Sequence, residues 1–341
     1  MSLTFPLPRH VPIAISTRGG HPENIHHGSF AVVSATGQLL ASAGDVDFPL
    51  FTRSSLKPFQ AMPLIARAAQ MLELEDADIA LLCASHSGEP LHTERVASLL
   101  AKIGAHERDL ACGCHTPYFY AATGQTPPPD GAYSRLQHNC SGKHTGMLLL
   151  AHVLGQPPGS YLQTDQAVQQ AIAQSVSHFF NVPIASLVRG IDGCSAPNYA
   201  VPLRTLAHAF ARLTEPQEDA LYGSAPHRVA RAMSRYPELV SGQGRNDLVL
   251  MTAGRGDWVS KVGADGVQAI ASFSRGIAIA AKCSEGALNP LMVALVGALD
   301  QLGWSDHESR AALAALLHPP LRNAAGIEVG EMRSVLRLLP A

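Results

Sequence analysis

The chain has 341 residues, 46% of them hydrophobic and 15% charged, with a formal net charge of −2. That length buries a large core, in one big domain or two intimately joined ones. The near-neutral balance without a basic run argues against a nucleic-acid partner. No apolar stretch reaches membrane-spanning length, and the first ten residues lack the charged start and apolar run of a secretory signal. A cytoplasmic protein without membrane contact, its six cysteines kept as thiols, is the expectation.

Residues 11–16 read as a first strand, and 28–34 and 38–43 as two β-rich runs joined by a hairpin at Ala35-Thr36-Gly37. Then comes Arg53-Ser54-Ser55-Leu56-Lys57-Pro58-Phe59-Gln60, leading into a helix over about 58–72 whose apolar Phe59, Met62, Ile65 and Ala69 recur at helical spacing. Pro63 inside that span predicts a kink or a delayed start. Residues 78–84 form a short apolar run, followed at once by Ser85-His86-Ser87-Gly88-Glu89-Pro90, where Pro90 suits the first turn of a helix over about 90–103.

Residues 104–139 are poor in periodicity and rich in Pro and Gly, which predicts a long ordered excursion with a functional or lid role. His138-Asn139-Cys140-Ser141-Gly142-Lys143-His144 runs into a helix over 147–154. Further helices are expected at about 164–180, 198–213 and 224–235, around Gly190-Ile191-Asp192-Gly193-Cys194-Ser195-Ala196-Pro197. Residues 248–252, 257–263 and 267–272 read as β-like, with a tight turn at Ala264-Asp265-Gly266 and another strand at 276–282. Helices at about 287–303 and 306–317 and a strand-like or loop tail follow. An N-terminal hairpin and a C-terminal meander thus bracket a mainly helical middle, about 58–240. Strands from both ends complete one antiparallel sheet flanked by helices, an α/β (α+β) sandwich forming a single catalytic domain over 1–341.

The chemistry centres on Ser54 and Lys57. Residues three apart share a helical face, so hydroxyl and amine can meet. An amine deprotonated by burial or by neighbouring cations takes the proton of an otherwise weak serine nucleophile. The bland alternative is a helix start with a solvated lysine. Ser55 is a second possible partner, and Pro58 biases Lys57 away from helical angles. Arg53 suits either a substrate carboxylate or a salt bridge beside the helix, and Glu89 reads as a helix-start carboxylate. Cys83 and Cys283 read as core. Cys112 and Cys114 in Ala-Cys-Gly-Cys-His suit either metal ligands or a buried loop. Of the 16 histidines, His86, His138 and His144 stand out because they sit inside motifs.

The order Ser54/Lys57, then Ser85, then Lys261-Val262-Gly263 resembles that of serine β-lactamases and transpeptidases, whose layout also matches. More specifically, residues 53–60, 83–90, 138–144, 190–197 and Lys261-Val262-Gly263-Ala264-Asp265-Gly266 together resemble the rhizobial-type L-asparaginases (asparaginase II, class 3), over nearly the whole chain. That family is similar in fold to serine β-lactamases and glutaminases. The resemblance implies two Ser-Lys tandems, Ser54 with Lys57 and Ser85 with Lys261, with Ser87 a rival for the second serine. It also implies a zinc site of Cys140, Lys143 and Cys194, a pocket lined by His144 and Asp192, L-asparagine as the small-molecule substrate, and a homodimer. The alternatives are a serine amidohydrolase acting on glutamine or on a β-lactam or peptide amide, and a non-catalytic metal-binding relative.

Overall fold

The computed structural model describes residues 7–341; of the first ten residues read above, 1–6 lie outside it. Val11–Arg18 (β1), His21–Ser34 (β2) and Leu39–Ala43 (β3) are the N-terminal strands, followed by the short Pro49–Phe51 (β4). Then come Lys57–Ala68 (α1), Asp76–Leu82 (α2), Pro90–Ala101 (α3), Tyr118–Thr123 (α4), Ser141–Val153 (α5) and Ala167–Phe180 (α6). Two strands, Val188–Ile191 (β5) and Pro197–Pro202 (β6), interrupt the helical middle before Leu203–Leu213 (α7), Ala225–Arg235 (α8), Pro237–Val240 (α9) and Asn246–Ala253 (α10). The meander is Trp258–Gly263 (β7), Val267–Ser272 (β8) and Ile277–Cys283 (β9). Leu288–Gln301 (α11), His307–Ala312 (α12), Ala314–Leu317 (α13), Pro320–Arg322 (β10), Glu328–Ser334 (β11) and Leu339–Pro340 (β12) follow.

The expected mixed sheet of N- and C-terminal strands forms, and it is antiparallel throughout, in the order β10-β11-β1-β2-β9-β8-β7. β3 adds to the far half of β2, and β12 adds to β3. The joint between the two chain ends is β2 on β9, where Phe30 faces Ala281 and Val32 faces Ile279. Side chains alternate across this sheet because successive residues point to opposite faces. Ala31, Val33, Ala269, Ala271, Ala278 and Ala280 face the helical body, and α7 lies against β2 and β9 there. Phe30, Val32, Ile270 and Ile279 face the other way, under Leu291, Leu295 and Leu299 of α11. Helices therefore cover both faces.

The helical body is built on α1. Its residues from Lys57 to Ile65 are all buried, so the helix is enclosed on every side. Phe59 meets the rings of Phe179, Phe180 and Phe210 at 5.3, 4.8 and 5.6 Å. Pro58 sits in the first turn, where its missing N–H costs nothing. Pro63 is accommodated inside the helix by a substitute donor. It cannot give an N–H to the Phe59 carbonyl four residues back, and the Ser175 hydroxyl on α6 donates to that carbonyl instead, at 2.7 Å.

Three expectations are corrected. Residues 248–252 are not a strand but lie in α10: Val249, Leu250 and Ala253 pack on one cluster, a helical spacing that the alternation of a strand cannot give. The 78–84 run is mostly the helix α2, buried against α5 and α8. The helix expected from 198 starts at Leu203, because residues 197–202 are a strand that pairs with β4 and β5 in a second, three-stranded sheet. The middle section is consequently not purely helical. That small sheet positions the two halves of the site.

Candidate functional site

The turn Arg53–Leu56 that carries Ser54 is held in an unusual conformation. Arg53 has φ of +51°, a left-handed angle that a non-glycine residue rarely takes. Asn198 on β6 clamps it from both sides. Its Oδ1 accepts from the Arg53 N–H and its Nδ2 donates to the Arg53 carbonyl, each at 3.0 Å. The outcome is a one-turn 3-10 helix that delivers Lys57 directly into α1. The helical geometry of Lys57 overrides the bias from Pro58.

Lys57 is 1% exposed and Lys261 is wholly buried. Among the described residues no hydrogen bond joins Lys57 to Ser54. The Lys57 ammonium nitrogen instead donates to the Ala84 carbonyl at 2.6 Å, one residue before Ser85. It thereby ties the first Ser-Lys pair to the second serine. Burial lowers the Lys57 pKa, Cys140 opposes that, and Lys143 adds to it. Lys261 is pushed down to about 8 by burial, against the pull of Asp247 and with help from Lys57 and Arg245. Two lysines that feel each other inside the protein are the setting in which an amine gives up its proton near neutral pH.

Ser85 is fixed by two bonds. Its N–H donates to the Val240 carbonyl at 2.9 Å, and its hydroxyl accepts from Asn139 Nδ2 at 2.7 Å, leaving its own proton free to be given. Ser87 is engaged elsewhere, donating to the Ser241 carbonyl at 3.1 Å. His86 is structural: Gly88 N–H donates to its Nδ1, so Nε2 carries the proton and donates to Ser141 at 2.9 Å. Burial, then the stacked His92, hold His86 neutral. Asp247 organises the Lys261 side. Its carboxylate accepts from Ser260 Oγ, the Val262 N–H and Gln268 Nε2, each at 2.9 Å, and pairs with Lys261 at 3.3 Å. Burial raises this carboxyl, and those partners outweigh it and hold it below its ordinary value.

The start of α5 brings Cys140 and Lys143 to one face, and the turn after β5 brings Cys194. α5 comes in this far because Gly142 has no side chain; a Cβ there would lie 2.2 Å from the Leu81 carbonyl oxygen. Lys143 Nζ approaches Cys194 Sγ at 2.8 Å. A hydrogen bond from Cys194, opposed by burial and helped by Lys57 and Lys143, holds the Cys140 thiol well below its ordinary pKa. Cys194, its partner, is pushed up by that bond and by burial. One thiolate is thus shared beside a charged Lys143. His144 Nδ1 lies 2.7 Å from the Tyr161 hydroxyl, which accepts from the Ala111 N–H and so donates its proton to Nδ1. The His144 Nε2–H then points towards Cys194 without a partner in hydrogen-bond geometry. Two sulfurs and an amine fit a thiophilic divalent cation, with Lys143 losing its proton on binding, while His144, whose Nε2 carries a proton, is not a donor to it. Among the described residues no group of three His, Cys, Asp or Glu is so placed, because the third donor is an amine. Cys112 and Cys114 form no such pair: Cys112 is buried against the Arg135 carbonyl and pushed up to about 12, mainly by burial, and Cys114 is exposed.

The structure therefore brings Lys57 within electrostatic reach of Lys261, Cys140, Lys143 and Cys194, with Ser85 next to the carbonyl that Lys57 bonds and Ser54 on the turn before α1. Arg53 and Asp192 pair with each other at 2.8 Å, and Arg53 also bonds Asp265. They lie on the wall of an open cavity of about 640 Å³, together with Phe51, Ile191 and Asn198. Lys57, Ser85, Lys261 and Cys140 are buried and do not line that cavity. His144 is fully buried behind Cys194. The residues that sequence reasoning missed are Asn139, Asn198, Arg245 and Asp247. Asn139 lay inside a quoted motif; the other three carried no spacing signal.

A family model described as L-asparaginase II matches residues 14–334. This protein is thus matched over nearly its whole sequence. It belongs to the L-asparaginase II family. A search of the curated proteins gives no match. Among solved structures the chain is similar to Mglu in its native form in 4.3 M NaCl, at 16% identity and a TM-score of 0.39, covering 82% of this chain and 61% of that one. The present chain thus spans about three fifths of the Mglu chain's length. It is also similar to a β-lactamase from Mycobacterium bovis, at 16% identity, a TM-score of 0.38 and coverage of 85% and 95%. A penicillin-binding protein homologue from Caulobacter crescentus follows at 14% identity, a TM-score of 0.35 and coverage of 75% and 86%. Likenesses this faint say nothing of chemistry. No helix among the described residues is long and apolar enough to cross a membrane.

Proposed function

We propose that the protein is an L-asparaginase, hydrolysing L-asparagine to L-aspartate and ammonia through an acyl-enzyme. The observation that carries this reading is a pair of buried lysines, Lys57 and Lys261, that act on each other, with Lys57 bonded to the residue before Ser85. Ser54 Oγ attacks the side-chain carbonyl carbon of asparagine, and Lys57, neutral through burial, takes the hydroxyl proton. The C–N bond breaks as that proton passes to the leaving nitrogen, and ammonia departs. Water then adds to the ester carbon, and cleavage of the ester C–O bond releases aspartate and restores the Ser54 hydroxyl. Ser85, with its proton free and Asn139 on its oxygen, and Lys261 form the relay that receives and returns protons in the second half. Ser87 is less suited, since its proton is bonded to Ser241.

Cys140, Lys143 and Cys194 would hold a zinc ion, which when bound supplies Lewis acidity towards a polar group of the substrate. Arg53 and Asp192 line the approach, and His144 orients Cys194 from behind. The chain acts as one catalytic domain, a cytoplasmic homodimer on this reading. The test is ammonia release from L-asparagine by the purified protein, with L-glutamine alongside and Ser54→Ala as control. Release that vanishes in the variant supports the reading. Release that survives it moves the nucleophile to Ser85, and no release from asparagine by folded, zinc-supplied protein overturns the proposal.

A further inference from the structure

The residue expected to meet a substrate carboxylate, Arg53, is already committed to Asp192 and Asp265. Arg245 is not. Among the described residues its guanidinium has no carboxylate within ion-pair distance and no hydrogen-bond acceptor, although it is turned inward. Arg245 is part-exposed and its nitrogens are not sealed from water, so its five N–H donors stay available to an arriving acceptor. Arg245 Cζ lies 4.7 Å from the centroid of the Tyr118 ring, within cation–π distance, which anchors the guanidinium over that ring.

Its location points to the reacting centre. Arg245 ends the 240–245 segment, which is fastened to the second serine's loop at three points. The Ser85 N–H donates to Val240, the Ser87 hydroxyl donates to Ser241, and the Gln243 N–H donates to Glu89 Oε1 at 3.1 Å. Gly242, at φ +115°, makes this closeness possible; a Cβ there would stand 2.4 Å from Ser87 Oγ. The charge of Arg245 acts on Lys261, on His86 and His92, and on Cys140, so it faces the same interior as both lysines. Two residues on, Asp247 is occupied by four partners and turned to Lys261; its charge is felt by Arg245, but it makes no hydrogen bond or ion pair with the fork.

We propose that Arg245, laid on the Tyr118 ring, takes the α-carboxylate of the amino-acid substrate through a two-pronged pair of hydrogen bonds. The planar fork matches a carboxylate as an ammonium does not. Tyr118 belongs to the 104–139 excursion, which on this assignment is a recognition element for the substrate's backbone end. The inference rests on the reading of the site as an amino-acid amidohydrolase.

The experiment compares L-asparagine with 3-aminopropanamide, which is asparagine without its carboxylate, in wild type, Arg245→Gln and Arg245→Lys. The expected result in Arg245→Gln is a KM for asparagine raised about 10- to 100-fold, the loss of charge-assisted hydrogen bonds. The ratio of kcat/KM between the two amides collapses. Arg245→Lys, which keeps the charge but not the fork and guards against a folding failure of the glutamine variant, raises the KM about tenfold. Proportional losses on both amides, or an unchanged KM for asparagine in the lysine variant, overturn the assignment. Calorimetric titration with L-aspartate separates this inference from the proposed function. A wild type that releases no ammonia but binds L-aspartate, with binding lost in Arg245→Gln, sinks the hydrolase and keeps the carboxylate site. A wild type that hydrolyses asparagine while Arg245→Gln binds L-aspartate undiminished does the reverse.

Discussion

Replacing Asp247 by asparagine tests whether Lys261 is tuned for chemistry. In the wild type, burial takes Lys261 from 10.5 down to about 8 while Asp247 pulls it up. Keeping it charged therefore costs roughly 3 kcal/mol relative to water. Without Asp247 the lysine discharges instead, and at pH 7 that costs roughly 5 kcal/mol, so the lysine's share of the loss is capped at about 1–2 kcal/mol. The hydrogen bonds add to it. Oδ1 accepts from Ser260 and Gln268, and Oδ2 from Val262 and Lys261. An asparagine side chain covers one pair and turns donors on the other, which leaves a buried Val262 N–H or its counterpart unpaired at about 1–3 kcal/mol. The expected total is about 2–5 kcal/mol, read by urea unfolding at pH 7. The sign with pH follows from the depressed lysine: in the wild type its stabilisation is complete above about 10.5 and is lost as pH falls through about 8. In Asp247→Asn that window moves to lower pH. If neutral Lys261 is the working form, the acid limb of the kcat/KM profile moves down with it. An acid limb that stays in place while stability falls would falsify the role given to Lys261.

Two further substitutions probe how the fold holds the site. Ser175→Ala leaves the buried Phe59 carbonyl without a donor and should cost about 1–3 kcal/mol in urea unfolding with kcat/KM unchanged; adding Pro63→Ala, which restores an N–H at that position, should recover most of the loss, and no recovery would refute the substitute-donor account. Asn198→Ala removes both bonds that hold Arg53 at positive φ, so Ser54 should lose its placement. We expect kcat/KM down about 10- to 100-fold for an angstrom-scale displacement, against a stability loss of only about 1–3 kcal/mol; a stability loss without an activity loss would remove Asn198 from the site's support.

The outer frame was legible because it depends on local signals. Alternating apolar residues gave β2, β8 and β9, and Gly37 at φ +86° closes the hairpin that Ala35-Thr36-Gly37 announced. α10 was misread because a run of five apolar and β-branched residues has no distinct period; only the packing of Val249, Leu250 and Ala253 on one side shows the helical spacing. The Ser54 to Lys57 spacing correctly puts both at the start of α1, but spacing speaks of where side chains begin. Where the Lys57 nitrogen ends, on Ala84, depends on a loop 27 residues away. Cys140 and Cys194 are 54 positions apart and meet because β5 pairs with β6 and β6 with β4, a pairing invisible to any local window. Arg245 and Asp247 are single charges in an ordinary stretch, and nothing in their neighbours distinguishes a buried charge from a solvated one.

The interior of this site is short of anions, and that shortage has a direction. Lys57, Lys143, Lys261 and Arg245 are cations or amines wholly or partly withdrawn from water, answered by Asp247 and one shared thiolate, with Asp192 divided between Arg53 and Lys143. A protein selected for stability alone would replace such a cluster with apolar side chains of similar volume, which are often no less stable than buried charges. Keeping it makes sense only where function uses the imbalance. Burial first, with the neighbouring cations adding to it, drives Lys57 and Lys261 towards their neutral, proton-accepting forms, and the shortage of anions leaves one guanidinium without a partner. A substrate with a carboxylate at one end and an amide at the other relieves both: its charge completes Arg245, and its carbonyl carbon meets a serine beside an amine already disposed to take the proton. On the proposed reading, catalytic readiness and preference for a free amino acid come from one setting, a buried interior short of anions that acts on the lysines and waits for the carboxylate.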